Sequence, residues 1–310
     1  MMRPSNDGVG REPMPRQRLR RAGLATAMLA AALIGASGAI GQRTYYGDQQ
    51  GSRFISFDLL QIAVAQKRMN AAERRASMVA LIRRNARRAA PTLDDAYFEA
   101  ALSAIGRIPR EKFVPREARQ AAYFPIPLNI GHDQTISDAY IVAVITAQLK
   151  LPPNADVLDI GTGSGYQAAV LSPLAGQVSS IEIVEPLALE AAKRLRHLGY
   201  RNIDVRAGDG FAGWPERAPF DDIVVAAGAA SIPQPLLDQL KPGGRLVMPI
   251  GPTSPQEQLL VITKEADGSL TRCTLGLTQF VPFTGRGKRP PNLPDPSGRT
   301  VPGCFEVDVT

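Results

Sequence analysis

At 310 residues and 44% hydrophobic content, the chain can bury one large core with length to spare. Its formal charge of +7 is unevenly placed: residues 1–90 hold 16 Lys/Arg against 5 Asp/Glu, and residues 91–310 hold 20 against 24. A mildly acidic body without a basic, aromatic-interleaved surface argues against a nucleic-acid partner.

At the N-terminus, Arg11, Arg16, Arg18, Arg20 and Arg21 precede 19 uncharged residues, Ala22 to Ile40, which end in "GASGA". This is the layout of a secretory signal, with Ser37 and Ala39 placed for cleavage. The segment is also close to the roughly 20 residues that span a bilayer, but its Ala/Gly richness makes it a weak anchor. Cleavage, or membrane association through residues 22–40, is the expectation; the plain alternative is a start further downstream, as at Met69. Phe57 to Arg88 reads as helix, with Ala76, Val79 and Ile82 at apolar positions and arginine pairs at 74–75, 83–84 and 87–88. Such a helix suits anionic lipid, although a solvated face is the more ordinary reading. In "PTLDDAYFEAALSAI", Thr92 with Asp95 resembles a capping box opening a helix.

The next elements alternate. "ADVLDIGTGSGYQAAVL" (155–171) is a strand, three alternate glycines (Gly161, Gly163, Gly165) and a helix start. "QVSSIEIV" is a second strand ending at Glu182, followed by a helix from Pro186 to Leu198. "NIDVRAGD" and "DDIVVAAG" are strands, "PQPLLDQL" a short helix and "GGRLVMPIG" a further strand. This alternation predicts an α/β fold with a mostly parallel sheet and helices on both faces. "QLLVITK" and "LTRCTLGLTQFVPF" read as an antiparallel hairpin added at the sheet edge. Residues 285–303 are too rich in Pro and Gly to pack. The chain thus divides into a leader and linker (1–56), a folded body (57–285) and a tail (286–310). Cys273 and Cys304 form no CxxC pair, which argues against a zinc site or a disulfide framework and leaves a pairing of these two open.

Ligands in such folds sit at the carboxyl ends of the strands, where Asp159, Glu182, Asp209 and Gly210 fall. A dinucleotide fingerprint is G-x-G-x-x-G; here the third glycine comes one residue early and Tyr166 takes its place. Asp159, two residues before the loop, would repel a pyrophosphate and suit a cation. Glu182, 21 residues past Gly161, is placed to accept from both ribose hydroxyls, and Asp209 to accept from an adenine amino group. Adenine, an unphosphorylated ribose and a positive charge together describe S-adenosylmethionine.

"VPREARQAAYFPIPLNIGHDQTISDAYIVAVITAQL", "LDIGTGSGYQ", "GDGFAGW", "APFDDIVVAAGAASIPQPLLDQLKPGGRLVMPIG" and "FVPF" resemble the protein-L-isoaspartate O-methyltransferases, over about residues 70 to 285. The resemblance implies a Rossmann-like S-adenosylmethionine-dependent fold for residues 57–285. It also implies methylation of the free carboxylate of isoaspartyl or D-aspartyl residues in damaged proteins. It assigns Ser137 as the active-site serine, and Thr135 of "QTIS" with Thr162 and Ser164 of the loop join the cofactor candidates Asp159, Gly161, Gly163, Glu182, Asp209 and Gly210. Where the family usually continues with Gln-Pro or Ala-Pro, this chain has Asp138-Ala139. The bland role for Ser137 is to cap the helix through Ala139 to Leu149. His132, without partner acids, is left out of the site, and no metal is expected.

Three other readings remain. One is a nicotinamide oxidoreductase on the same sheet, disfavoured by the glycine spacing. The others are a small-molecule methyltransferase and a non-catalytic, membrane-tethered binding protein. The arginine-led leader points to export, whereas the methyl donor is made in the cytoplasm; cofactor supply decides for the cytoplasm here.

Overall fold

Asn70 opens helix α1 (Ala71–Ala89) in the computed structural model, which describes residues 61–89, 95–251, 257–287 and 301–304. The arginine-led segment 22–40 and Thr92 lie outside these residues. Asn70 and Glu73 form a reciprocal cap: each side chain accepts from the other's backbone N–H, at 3.0 and 2.8 Å. The helical pattern expected from Phe57 is therefore broken at 67–70, where a turn separates a helical stretch at 61–66 from α1. Its core face is Met78, Ile82 and Ala86, one residue in four, while Ala76 is exposed. Arg83 binds Glu99 through two bonds of 2.8 and 2.7 Å, joining α1 to α2 (Ala96–Arg107). Asp95 itself caps α2, accepting from Phe98 N at 2.9 Å.

A short hairpin follows, β1 (Leu128–Gly131) with β2 (Gln134–Ile136). It leads into α3 (Ala139–Leu149), which has the bounds expected from sequence. Ile141, Val142, Val144 and Ile145 are poor helix formers, yet every residue of α3 is buried. A helix apolar on all sides lies inside a protein, and burial of each such side chain, about 1.5–3 kcal/mol, outweighs the propensity cost of a few tenths.

The alternating elements are β3 (Asp156–Ile160), α4 (Tyr166–Leu171), β4 (Gln177–Glu182), α5 (Glu185–His197), β5 (Ile203–Ala207) and β6 (Phe220–Val225). They continue with α6 (Gln234–Asp238), β7 (Leu240–Ile250), β8 (Glu257–Lys264) and β9 (Leu270–Thr278). The sheet order is β5-β4-β3-β6-β7-β8-β9, parallel through β7 and antiparallel from β7 to β9. Side chains alternate between two cores: Val157, Val178, Val224 and Val247 face the helices α1 to α5. Leu158, Ile181, Ile223 and Met248 face α6 and the C-terminal segment.

The tail does not simply leave the body. Residues 301–304 return to β9: Val301 is buried, Thr274 donates to Pro302 O and accepts from Cys304 N, and Cys273 and Cys304 are joined as a disulfide. Among the described residues, no helix is long and apolar enough to cross a membrane.

Candidate functional site

The strand order reverses direction between β3 and β6, so their outgoing chains part and leave a crevice at the carboxyl ends. A cleft occupies it, at the place where ligands bind in such sheets. Its walls include Gln134–Ser137 at the hairpin edge, Gly161–Ser164 after β3, Ile181–Ile183 at the end of β4, Ala226–Ala227 after β6, and Phe280–Thr284 beyond β9.

The glycine loop has a specific geometry. Gly161 and Thr162 donate to Ile181 O, and Gly165 donates to Thr162 O at 2.7 Å, closing a turn onto α4. Gly165 has φ of 90°, and a Cβ there would stand 3.0 Å from Leu195 Cδ1, so only glycine permits this turn and its close packing on α5. Glu182 braces the same loop: its carboxylate accepts from Gly163 N at 2.8 Å and from Val184 N at 2.9 Å. A carboxylate has about four acceptor positions, so these two bonds leave room for ligand donors.

Thr135, Ser137, Gly161, Thr162, Gly163, Ser164, Glu182 and Gly210 all line the cleft. The hydroxyls of Thr135 and Ser164 are buried without hydrogen-bond partners, an arrangement that asks for a bound polar group. Asp159 lies behind the loop and is 0% exposed. Its Oδ2 accepts from Ser180 Oγ at 2.7 Å, Ser180 Oγ lies 2.6 Å from Thr162 Oγ1, and Oδ1 has no partner. With Asp159 ionised, the single Ser180 proton is committed to it, so Thr162 donates to Ser180. The acid therefore acts on the cleft through a hydroxyl relay. Burial, with Glu182 nearby, pushes its pKa up to about 7.

The structure decides the cap of α3 and adds a duty for Asp209. Ser137 does not cap α3: Asp138 does, accepting from Tyr140 N at 3.0 Å. Ser137 is left free of that duty and faces the cleft. Asp209 adjoins the cleft at Gly210 without being part of its lining: its carboxylate accepts from Phe211 N and Arg286 N, both at 2.9 Å, and pairs with Arg286 Nε at 3.5 Å. It fastens the turn at Gly285–Gly287 beside Gly210.

Reading residue by residue missed the wall at Phe280–Thr284. Gly228 donates to Val281 O and accepts from Phe283 N, and Glu257 Oε2 accepts from Phe280 N. Its signal was the "FVPF" string, which carries no chemistry of its own. His132 sits exposed at the hairpin turn, away from the cleft lining. Among the described residues no cluster of His, Cys, Asp and Glu could hold a metal ion.

The family model for protein-L-isoaspartate(D-aspartate) O-methyltransferase matches residues 93–288. The protein-L-isoaspartate O-methyltransferase 2 of Polaromonas sp. is 48% identical over 196 residues, covering 63% of this chain and 91% of its own length. The protein-L-isoaspartate O-methyltransferase of Opitutus terrae is 53% identical over 186 residues, 60% of this chain and 79% of its own. A solved protein-L-isoaspartate O-methyltransferase superposes with a TM-score of 0.60 at 28% identity, over 69% of this chain and 67% of that one. A Plasmodium falciparum beta-aspartate methyltransferase, solved with S-adenosyl-L-homocysteine, has the same fold: TM-score 0.56, 22% identity, 68% and 98% coverage. With the switch-point cleft, the glycine loop and the hairpin serine in one chain, and a family match across most of its described length, the chain belongs to the protein-L-isoaspartate O-methyltransferase family.

Proposed function

We propose that the chain transfers a methyl group from S-adenosylmethionine to the free carboxylate of L-isoaspartyl and D-aspartyl residues in damaged proteins, beginning their repair. The observation that carries this reading is the meeting of the "QTIS" hairpin edge with the glycine loop and Glu182 around one cleft. The residues present suit the cofactor. Glu182 offers acceptors for ribose hydroxyls, Thr135 and Ser164 offer unpaired hydroxyls, and Asp159 favours a cation through Thr162 and Ser180.

When bound, the cofactor supplies an electrophilic methyl carbon on a sulfonium. The acceptor carboxylate is ionised at neutral pH, so no strong base is needed, in keeping with a cleft lined by no His or Cys. The protein's task is alignment and exclusion of water. Holding two reactants in line supplies ~7–11 kcal/mol of such a barrier. Ser137 sits on the hairpin side to hold the acceptor carboxylate, while the apolar wall of Phe280 and Phe283 keeps solvent from the transfer line. Asp209 fixes the turn at Gly285–Gly287 and keeps acceptor positions for the adenine amino group.

The family chemistry then runs without the enzyme: the methyl ester closes to a succinimide, whose hydrolysis returns some normal aspartate. The deciding experiment is labelled-methyl incorporation from S-adenosylmethionine into an isoaspartyl peptide and its aspartyl twin. Strong labelling of the isoaspartyl peptide alone is expected; equal or absent labelling overturns the reading.

Cofactor supply favours a cytoplasmic location. The Cys273–Cys304 bond favours the alternative, export, since disulfides persist in oxidising compartments. Alkylation of these two cysteines in intact cells separates the two: reactive thiols mean cytoplasm, blocked ones mean export.

A further inference from the structure

Arg110 is the largest fully buried side chain among the described residues, 0% exposed, on a short 3₁₀ turn 27 residues before the active-site serine. Its Nε donates to Ala122 O at 2.9 Å and its Nη2 to Ser137 O at 2.6 Å. Its guanidinium carbon stacks 4.7 Å from the centre of the Tyr166 ring, which Phe113 braces edge-on at 5.5 Å. Tyr166 is the first residue of α4, directly after the glycine loop. The carbonyl of Ser137 falls between the end of β2 and the start of α3, outside both ladders. Arg110 is thus the group that satisfies it.

Burying a guanidinium is expensive, and apolar side chains of similar volume usually serve stability as well or better. What an apolar side chain cannot do is grip two carbonyls and an aromatic face together. Arginine's planar fork can, and lysine's point charge cannot. The three contacts join the hairpin edge that carries Ser137 to the helix start that carries the glycine loop. Asp138, next to Ser137, is the acid that faces this cation. An acidic residue here would otherwise stand beside the path of an incoming carboxylate.

We infer that Arg110 is a positioning residue for methyl transfer: through the Ser137 carbonyl and the Tyr166 ring it locks the acceptor side of the cleft in register with the cofactor side. The inference rests on the function proposed above. It predicts a split between binding and turnover, because a small displacement of aligned reactants costs rate steeply.

The test uses the full chain with Arg110→Lys and Arg110→Gln. The readouts are kcat and KM for an isoaspartyl peptide, calorimetric Kd for S-adenosylhomocysteine, and Tm. The expected result is a folded variant with cofactor affinity within about threefold of wild type and kcat lowered roughly 10- to 100-fold, Lys retaining more than Gln. Wild-type kcat in a folded variant overturns the inference. So does a loss of kcat that merely tracks loss of cofactor affinity and Tm, or failure of both variants to fold, since either result makes Arg110 a support of the fold alone. A wild-type chain that methylates no isoaspartyl peptide overturns the proposed function and this inference with it. A methylating wild type beside unaffected variants overturns the inference only.

Discussion

Glu182 Oε2 accepts from the backbone N–H of Gly163 at 2.8 Å, although 19 residues separate them. The acid at the end of β4 therefore holds the glycine loop directly. Glu182→Ala is expected to weaken S-adenosylhomocysteine binding by ~1–3 kcal/mol, the scale of a lost bond to a charged group. Because Gly163 and Val184 both lose an acceptor, the free protein is expected to unfold at lower urea as well. Calorimetry and urea unfolding read the two effects separately. Unchanged cofactor affinity rules out the ribose role.

Asp138 and Ser137 are adjacent, and only one of them caps α3. Asp138→Ala is expected to cost about 1 kcal/mol through the lost cap and more through the charge lost beside Arg110, whereas Asp138→Asn, an equally good cap, should show only the second loss. Ser137→Ala is expected to slow isoaspartyl methylation while leaving the denaturation midpoint in place. A Ser137→Ala enzyme with wild-type turnover removes Ser137 from the site.

The raised pKa of Asp159 fixes a sign. Between about pH 4 and pH 7 the unfolded chain has released this proton and the folded chain keeps it, so the contribution of Asp159 to stability falls as pH rises. Asp222, pushed up to about 8 by burial, acts in the same direction. Asp159→Asn is expected to flatten the decline in urea-unfolding free energy across this window. A cation bound near Asp159 restores its charged form, so cofactor binding near pH 7 should release a proton. Calorimetry in two buffers of different ionisation enthalpy measures that release.

The disulfide closes a span of 31 residues. A loop of that length constrains the unfolded chain by about 3–4 kcal/mol on the chain-entropy account. Cys304→Ser, or added reductant, is expected to lower the urea midpoint by a corresponding amount. A midpoint insensitive to both shows that the bond adds no net stability.

Much of this was legible in the letters. The bounds of α3, the succession of strands and helices along the chain, the glycine turn and the place of Glu182 follow from periodicity and turn chemistry. The hairpin β1–β2 was not, because its two-residue turn is His132-Asp133, both at positive φ, where a glycine or asparagine would have signalled it. Nor was the cap of α3: serine and aspartate cap equally well, and only backbone geometry decided between them. The structural duty of Asp209 was not legible either, because a strand-end acid satisfies backbone donors as readily as a ligand. Its partner, Arg286, comes from a segment that composition described as loose.

The segment at Phe280–Thr284 reaches the cleft from beyond the last strand and is stitched there through Gly228 and Glu257. A truncation just after β9 would keep every strand of the sheet and the glycine loop, yet leave the cleft open along one flank. The boundary of the binding site thus lies further along the chain than the boundary of the sheet.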